Sequence, residues 1–173
     1  MNFLKCYNEN VVQYDLINKF SYKTVYDLPK LKFVSLRFNF KKYELKGLVS
    51  ALVALELISS QKSCLVKSKV ANVSLRLRKG SPTSCKVILR KKKMNKLLIK
   101  FLNKVIILGK APVKNYRKVN TFSFTIKNVL VFKELEKNYR FFKHLNSLRV
   151  DLVTTNRSRK EFITLLKSYK IMS

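Results

Sequence analysis

No carboxylate stands between Glu56 and Glu134, and this gap limits how the chain can fold more than any other feature of the sequence. The acids are Glu9, Asp15, Asp27, Glu44, Glu56, Glu134, Glu136, Asp151 and Glu161. Apart from Lys133 beside Glu134, every lysine and arginine in the gap lacks an acidic neighbour in sequence, and a buried, unpaired charge is too costly to keep. The cations of the centre must therefore line surfaces and loops. From Ser59 to Lys93 they do so in company with β-prone apolar residues: Leu65, Val66, Val70, Val73, Leu75, Leu77, Val87, Ile88 and Leu89 interleave with Lys62, Lys67, Lys69, Arg76, Arg78, Lys79, Lys86 and Arg90. This is the pattern of a sheet with an apolar face and a cationic one. Leu75, Arg76, Leu77 and Arg78 alternate as a strand, Lys79-Gly80-Ser81-Pro82 reads as a turn, and Lys86–Leu89 as a second strand closed by Arg90 to Lys93. In an average chain such a charge run is a solvated face. Here it belongs to a much larger field.

The whole chain sets 38 Lys+Arg against 9 Asp+Glu, a formal net charge of +29, and self-repulsion at that density opposes compaction unless a polyanion relieves it. A hydrophobic content of 47% and 12% aromatic residues argue for a folded protein rather than a basic tail. Nucleic acid is the expected partner, because phosphate neutralisation releases counterions. An anionic membrane fits less well, since the cations spread over strand-like patterns rather than gathering on one amphipathic helix, and the apolar stretch Leu48–Ile58 is too short to span a bilayer and contains Glu56. No membrane partner is expected. Cys6, Cys64 and Cys85 are odd in number and too far apart for a C-x-x-C pair, which predicts reduced thiols and no zinc site. The opening MNFLKCYNENVVQYD has no arginine and two acids, unlike a cleavable transit peptide. Abundant Lys, Asn, Phe, Ile and Leu with only 3 Gly, 3 Pro and no Trp match the bias of A+T-rich codons, as in many organellar genomes.

In chain order, Asn8–Phe20 reads as a short helix or a frayed arm, so residues 1–20 form an N-terminal helical arm. Leu31–Phe40 alternates as a strand. Lys46–Ser60 carries Leu48, Val49, Leu52, Val53, Leu55 and Ile58, a wide apolar stripe expected to pack in the core. Met94–Leu108 repeats the helical pattern, with Lys96, Lys100 and Lys104 in line. Residues 109–120 form a basic loop. Phe122, Phe124 and Ile126 mark a strand that Val129–Phe132 extends or follows, residues 132–145 fit a short helix or a loop, and Leu148–Thr155 is a strand. Ser158 with Glu161 spells a capping box for a last helix bearing Phe162, Leu165, Leu166 and Tyr169. The expected fold is a single α+β domain over residues 1–173, an antiparallel or mixed sheet with helices covering one face and the other available for RNA. Catalysis has no candidate constellation: His144 is the sole histidine, Glu134 and Glu136 would point apart, and P-loop, G-x-G-x-x-G and H-E-x-x-H motifs are absent. Cys85 has no histidine near it in sequence and reads as a packed thiol. No cofactor or metal is expected.

Four stretches, in this order, resemble one family. They are KFSYKTVYDLPKL at Lys19–Leu31, SSQK at Ser59–Lys62, LRKGSPTSCKVILR at Leu77–Arg90 and RVDLVTT at Arg149–Thr155. They look like the F-N-Y-x-N-V-x-x-V-P-x-L, S-G-Q-K-P, I-R-x-G-x-P-I-G-C-K-V-T-L-R and L-D-I-x-I-x-T-T segments of the bacterial-type large-subunit ribosomal protein L-five. The resemblance runs from about Lys19 to Leu166. It implies a non-enzymatic protein of the central protuberance, a mostly antiparallel sheet backed by helices on one face, whose other sheet face and nearby loops grip 5S rRNA and large-subunit rRNA. It also implies contacts with the elbow of the peptidyl-site tRNA, with a small-subunit head protein across an intersubunit bridge and with neighbouring central-protuberance proteins. By position, Gln61 and Arg90 match family 5S contacts. The implied rRNA-binding set is Arg37, Gln61, Lys62, Lys67, Lys86, Arg90, Lys91, Lys92 and Lys93. The implied tRNA-facing loop runs from Lys69 to Gly80, with Lys69, Asn72, Ser74, Arg76, Arg78, Lys79 and Gly80 as its polar members.

The sequence also departs from the family pattern. Arg37 stands where the family has Asn, Ile88 where it has Thr, Phe38-Asn39-Phe40 replaces a glycine-rich segment, and the Asp-Phe-Arg-Gly loop is missing from a shorter, more basic residues 109–120. Such drift suits a mitochondrial homologue, organelle-encoded and acting in the matrix, with a diverged rRNA. The rival from another class is a nucleic-acid-compacting architectural protein of an organelle nucleoid, which needs charge alone. A membrane-surface scaffold comes third and an enzyme last.

Overall fold

The strand signatures gather into one six-stranded sheet with the order β2-β3-β1-β6-β5-β4. Its strands are β1 (Lys30–Asn39), β2 (Cys64–Lys67), β3 (Pro82–Leu89), β4 (Asn115–Lys118), β5 (Thr121–Ile126) and β6 (Leu148–Thr155). The helices are α1 (Phe3–Tyr7) and α2 (Gln13–Lys19) joined by a π-turn at Asn8–Val12, then α3 (Leu45–Ser59), α4 (Lys91–Phe101), α5 (Lys133–Glu136), α6 (Tyr139–Phe142) and α7 (Arg159–Ser168). This computed structural model describes residues 3–40, 45–71, 73–74, 77–102, 115–118 and 120–169. The fold is α+β, with antiparallel pairing in β2–β3 and β4–β5 and helices backing the sheet. Contacts cluster in two units, one of residues 35–89 with 124–150, the other of residues 1–34, 90–123 and 151–173.

In the unit of residues 35–89 and 124–150, strand alternation sends Leu36 and Phe38 of β1, Cys85, Val87 and Leu89 of β3, and Leu148 and Val150 of β6 into the core. Helix α3 covers β3, burying Leu48, Ala51, Ala54, Leu55 and Ile58. The helix does not bury its whole apolar stripe: Val49 and Val53, expected in the core, are 53% and 45% exposed. Its apolar residues run nearly all the way round, and periodicity alone does not choose the packed side. The α3 terminus is built by its own sequence. Ser59 Oγ donates to Leu55 O at 2.6 Å, Ser60 takes φ 52°, and Glu56 Oε1 accepts from Ser63 N at 3.0 Å and Ser63 Oγ at 3.1 Å. The Ser63 N–H first, then its hydroxyl, hold the Glu56 carboxyl below the usual carboxylate range.

Of the strand expected at Leu75–Arg78, only Leu77 and Arg78 are among the described residues. Leu77 makes an isolated bridge, Arg78 is irregular, and Leu75 and Arg76 lie outside the described residues. The partner strand begins at Pro82, a position where a missing N–H costs the ladder little, and runs through Leu89. Between β2 and β3 the chain closes a loop by Ser68 N to Ser81 O at 2.8 Å and Gly80 N to Ser68 O at 3.0 Å, and Gly80 takes φ 87°, which favours glycine. Residues 132–145 resolve as two helical turns, α5 and α6, packed against α3.

In the unit of residues 1–34, 90–123 and 151–173, Leu4, Val12 and Leu16 are buried, so the N-terminal helical stretch packs along its length. It meets α7 and α4, and Tyr7 Oη donates to Ser168 O at 3.0 Å while Tyr169 Oη donates to Asn8 Oδ1 at 2.7 Å. Met94, Leu97, Leu98 and Phe101 are the buried face of α4, whose predicted continuation to Leu108, with Lys104, lies outside the described residues. The capping box forms in both directions. Glu161 N donates to Ser158 Oγ at 3.2 Å, and Glu161 Oε2 accepts from Ser158 N at 3.4 Å and Arg157 N at 3.0 Å. Ser158→Ala is expected to lower stability by about 1 kcal/mol, a fall of about 2–4 °C in melting temperature for a chain of this size, read by circular dichroism.

Candidate nucleic-acid interface

The residues that alternate with the core of the first unit form the sheet's second face. Arg37 on β1, Ser84 and Lys86 on β3 and Arg149 on β6 come from three neighbouring strands, and all point away from the side packed by α3. Arg37 is half-buried, and its Nε is shielded from solvent with no hydrogen-bond partner among the described residues. A guanidinium nitrogen so placed lacks the water it had in the unfolded chain and lacks a protein acceptor in return. Lys86, opposite Cys64 in the β2–β3 register, is likewise half-buried, as is Arg149. Arg149 is not among the residues singled out from sequence, although its place between the inward Leu148 and Val150 is the signal that finds it.

Gln61 follows the α3 terminus. Its Nε2 donates to Ile88 O on β3 at 3.2 Å, so one amide hydrogen is committed inside the protein while the side chain stays half-exposed. Lys62 and Lys67 are exposed beside it in sequence. Of the loop residues, Lys69, Ser74, Arg78, Lys79 and Gly80 are exposed, with Ser81 Oγ donating to Arg78 O at 2.7 Å; Asn72 and Arg76 lie outside the described residues. Most of the basic loop at 109–120 lies outside them as well.

In the second unit, Arg90 sits with its guanidinium carbon 5.9 Å from the centre of the Phe33 ring, an arrangement that orients the cation without neutralising it. Exposed Lys91, Lys92 and Lys93 follow at the start of α4, whose first turn has no acidic residue. Three ammonium groups at the positive end of a helix dipole are unfavourable for the free chain and favourable once an anion approaches. Lys91 itself takes φ 49°, a left-handed conformation that a side chain adopts at a cost.

The remaining candidates carry no chemistry. His144 is exposed, and among the described residues no group of three or more His, Cys, Asp or Glu could hold a metal. Cys85 is fully buried with Sγ 3.6 Å from Leu48 O, and burial pushes its thiol up to about 11, whereas Cys6 and Cys64 are exposed. At pH 8 in the native state a maleimide should label two thiols rapidly. Cys85 should react only as the chain opens, which mass spectrometry of the labelled peptides will read.

The described residues make a basic α+β sheet protein whose exposed cations suit a polyanionic partner. A model of the C-terminal part of the ribosomal L5 family matches residues 82–172. The large ribosomal subunit protein uL5m of Reclinomonas americana is 30% identical over 177 residues, covering 99% of this chain and 97% of that relative. The uL5 proteins of Wigglesworthia glossinidia brevipalpis, 30% identical over 98% of the chain and 97% of that relative, and of Borreliella afzelii, 31% over 95% and 92%, match in the same way. The chain belongs to the ribosomal protein L5 (uL5) family and is a structural, non-enzymatic member of it.

Proposed function

We propose that this chain is a structural constituent of the large subunit of a mitochondrial ribosome, where it binds 5S rRNA, large-subunit rRNA or both in the central protuberance. The observation that carries the reading is the row of half-buried cations Arg37, Lys86 and Arg149 on three adjacent strands. Arginine matches phosphate and base-edge acceptors in a fixed fork, and the surrounding lysines hold the backbone while half-buried groups read shape. Lys62, Lys67, Arg90, Lys91, Lys92 and Lys93 extend the contact. The β2–β3 loop, with Lys69, Arg78, Lys79 and Gly80, faces the elbow of the peptidyl-site tRNA, and other surfaces meet neighbouring proteins and a small-subunit head protein across the intersubunit bridge. The near-complete match to a protein named uL5m and the A+T-type residue bias support a mitochondrial, organelle-encoded, matrix location.

Sedimentation of organelle lysate at high salt tests the reading. Comigration with the large subunit under salt that strips loosely held basic proteins is the expected result. Release to the top of the gradient, or migration with DNA as a nucleoid-compacting protein would show, overturns it. With ~6–10 phosphate contacts, affinity for rRNA should fall about 10³–10⁵-fold between 50 and 200 mM salt. Within that field, Arg90→Ala and Gln61→Ala should each weaken rRNA binding about tenfold or more, since Arg90 is oriented on Phe33 and Gln61 on Ile88. Lys91→Ala should cost only about twofold to threefold, as an exposed, flexible ammonium does. Filter binding reads all three, and equal losses would mean a surface that recognises charge alone.

A further inference from the structure

The outer side of α3 carries four aliphatic side chains on successive turns: Leu45 is 65% exposed, Val49 53%, Val53 45% and Leu57 39%. At 1.5 Å per residue they draw a line about 18 Å long. Helix α6, which packs against α3, adds the exposed aromatics Tyr139 and Phe141. In a chain of net charge +29, the only charged residues of this 15-residue helix are Lys46 and Glu56, and the Glu56 carboxylate is turned onto Ser63. A continuous apolar line of this extent on a strongly cationic chain marks a contact with another macromolecule.

We infer that this stripe is the docking surface for a helical segment of another protein, one with an apolar face rimmed by Asp and Glu. RNA gains nothing from aliphatic side chains that neither donate a hydrogen bond nor stack. A second copy of the chain would bring another +29 to the same place and be repelled. A membrane-lying helix needs a basic polar face, which α3 with its single lysine lacks. On α3, on the α5–α6 segment packed against it and on its flanks, the exposed cations Lys46, Lys133, Lys137, Arg140 and Lys143 outnumber Glu134 and Glu136, and this net positive surround favours an acidic rim. The recognition is that of an amphipathic helix laid along an apolar strip. The inference rests on α3 and its surroundings and does not depend on the rRNA reading.

Full-length chain carrying p-benzoylphenylalanine at Val53, incorporated into its native particle and irradiated, tests it. The same probe at Lys92 reports the rRNA side independently. The expected result is a crosslink from position 53 to one protein, mapped by mass spectrometry to a segment with apolar residues at helical spacing flanked by acids. Adding Val49→Asp and Leu57→Asp should reduce that crosslink at least tenfold while lowering the melting temperature by no more than about 2–4 °C, because both side chains are partly exposed. Crosslinks to RNA, lipid or a second copy, to a segment without that pattern, or no product above the unirradiated control, would overturn the inference. An RNA crosslink missing at Lys92 while the protein crosslink persists would overturn the rRNA reading alone.

Discussion

Replacing Arg37 with methionine is expected to move stability and RNA affinity in opposite directions. In the free chain the substitution removes a shielded Nε that has no acceptor among the described residues and leaves a flexible apolar side chain of similar reach. Relief of an unsatisfied donor contributes about 1 kcal/mol here, at the low end of the range because the residue is half-exposed, and raises the melting temperature by about 2–4 °C. In the complex it removes a charge-assisted hydrogen bond of about 1.5–3 kcal/mol, so rRNA affinity falls roughly tenfold to a hundredfold. A differential scanning and filter-binding pair reads both. An arginine that merely braced the sheet would lose stability, and a loss on both axes would remove Arg37 from the interface.

Phe38→Ala is expected to be the most damaging single change to the fold. Phe38 has 0% exposure and is among the largest fully buried side chains of its unit. Truncating a buried phenylalanine costs about 3–5 kcal/mol through lost transfer energy and the cavity left behind, a large share of the roughly 5–15 kcal/mol that holds a domain together. The guanidinium denaturation midpoint should drop sharply. RNA affinity at low temperature should change only as far as the folded fraction does. The site has an added interest because the family resemblance sets a glycine-rich segment here. In this chain Phe38 prolongs β1 and fills the core instead, and Phe40 N continues the pairing to Thr83 O at 3.0 Å.

The parts of the fold that sequence reading reaches are those whose cause is local. Ser158 and Glu161 specify a helix start by two hydrogen bonds between near neighbours, and the box forms as read. Alternation locates β1, β5 and β6 to within a residue or two, because a two-residue period is visible wherever one face is buried. What fails depends on partners distant in sequence. The second strand, read in the sequence as Lys86–Leu89, begins at Pro82 because its first residues pair with β2, whose register shifts between Val66 and Lys67. Likewise the apolar pattern identifies α3 as a helix while placing Val49 and Val53 on the wrong side. At the candidate interface the abundance of cations is plain from composition. That Arg37 rather than Lys62 is the half-buried one follows only from the strands that pair with β1, and Gln61's hold on Ile88 joins residues that the sequence separates by a loop.

The pairing of Tyr169 with Asn8 has a consequence for how the molecule is made. These partners are 161 residues apart, and the unit they close also draws on the middle of the chain. At translation rates of about 5–20 residues per second, the first helices emerge roughly 8–32 s before the tyrosine that fastens them. During that interval Leu4, Val12 and Leu16 have no α7 to cover them, so a nascent-chain holdase or an early-bound RNA would act on the N-terminal segment first, and truncation of the last helix should leave the opening residues as the protease-sensitive end.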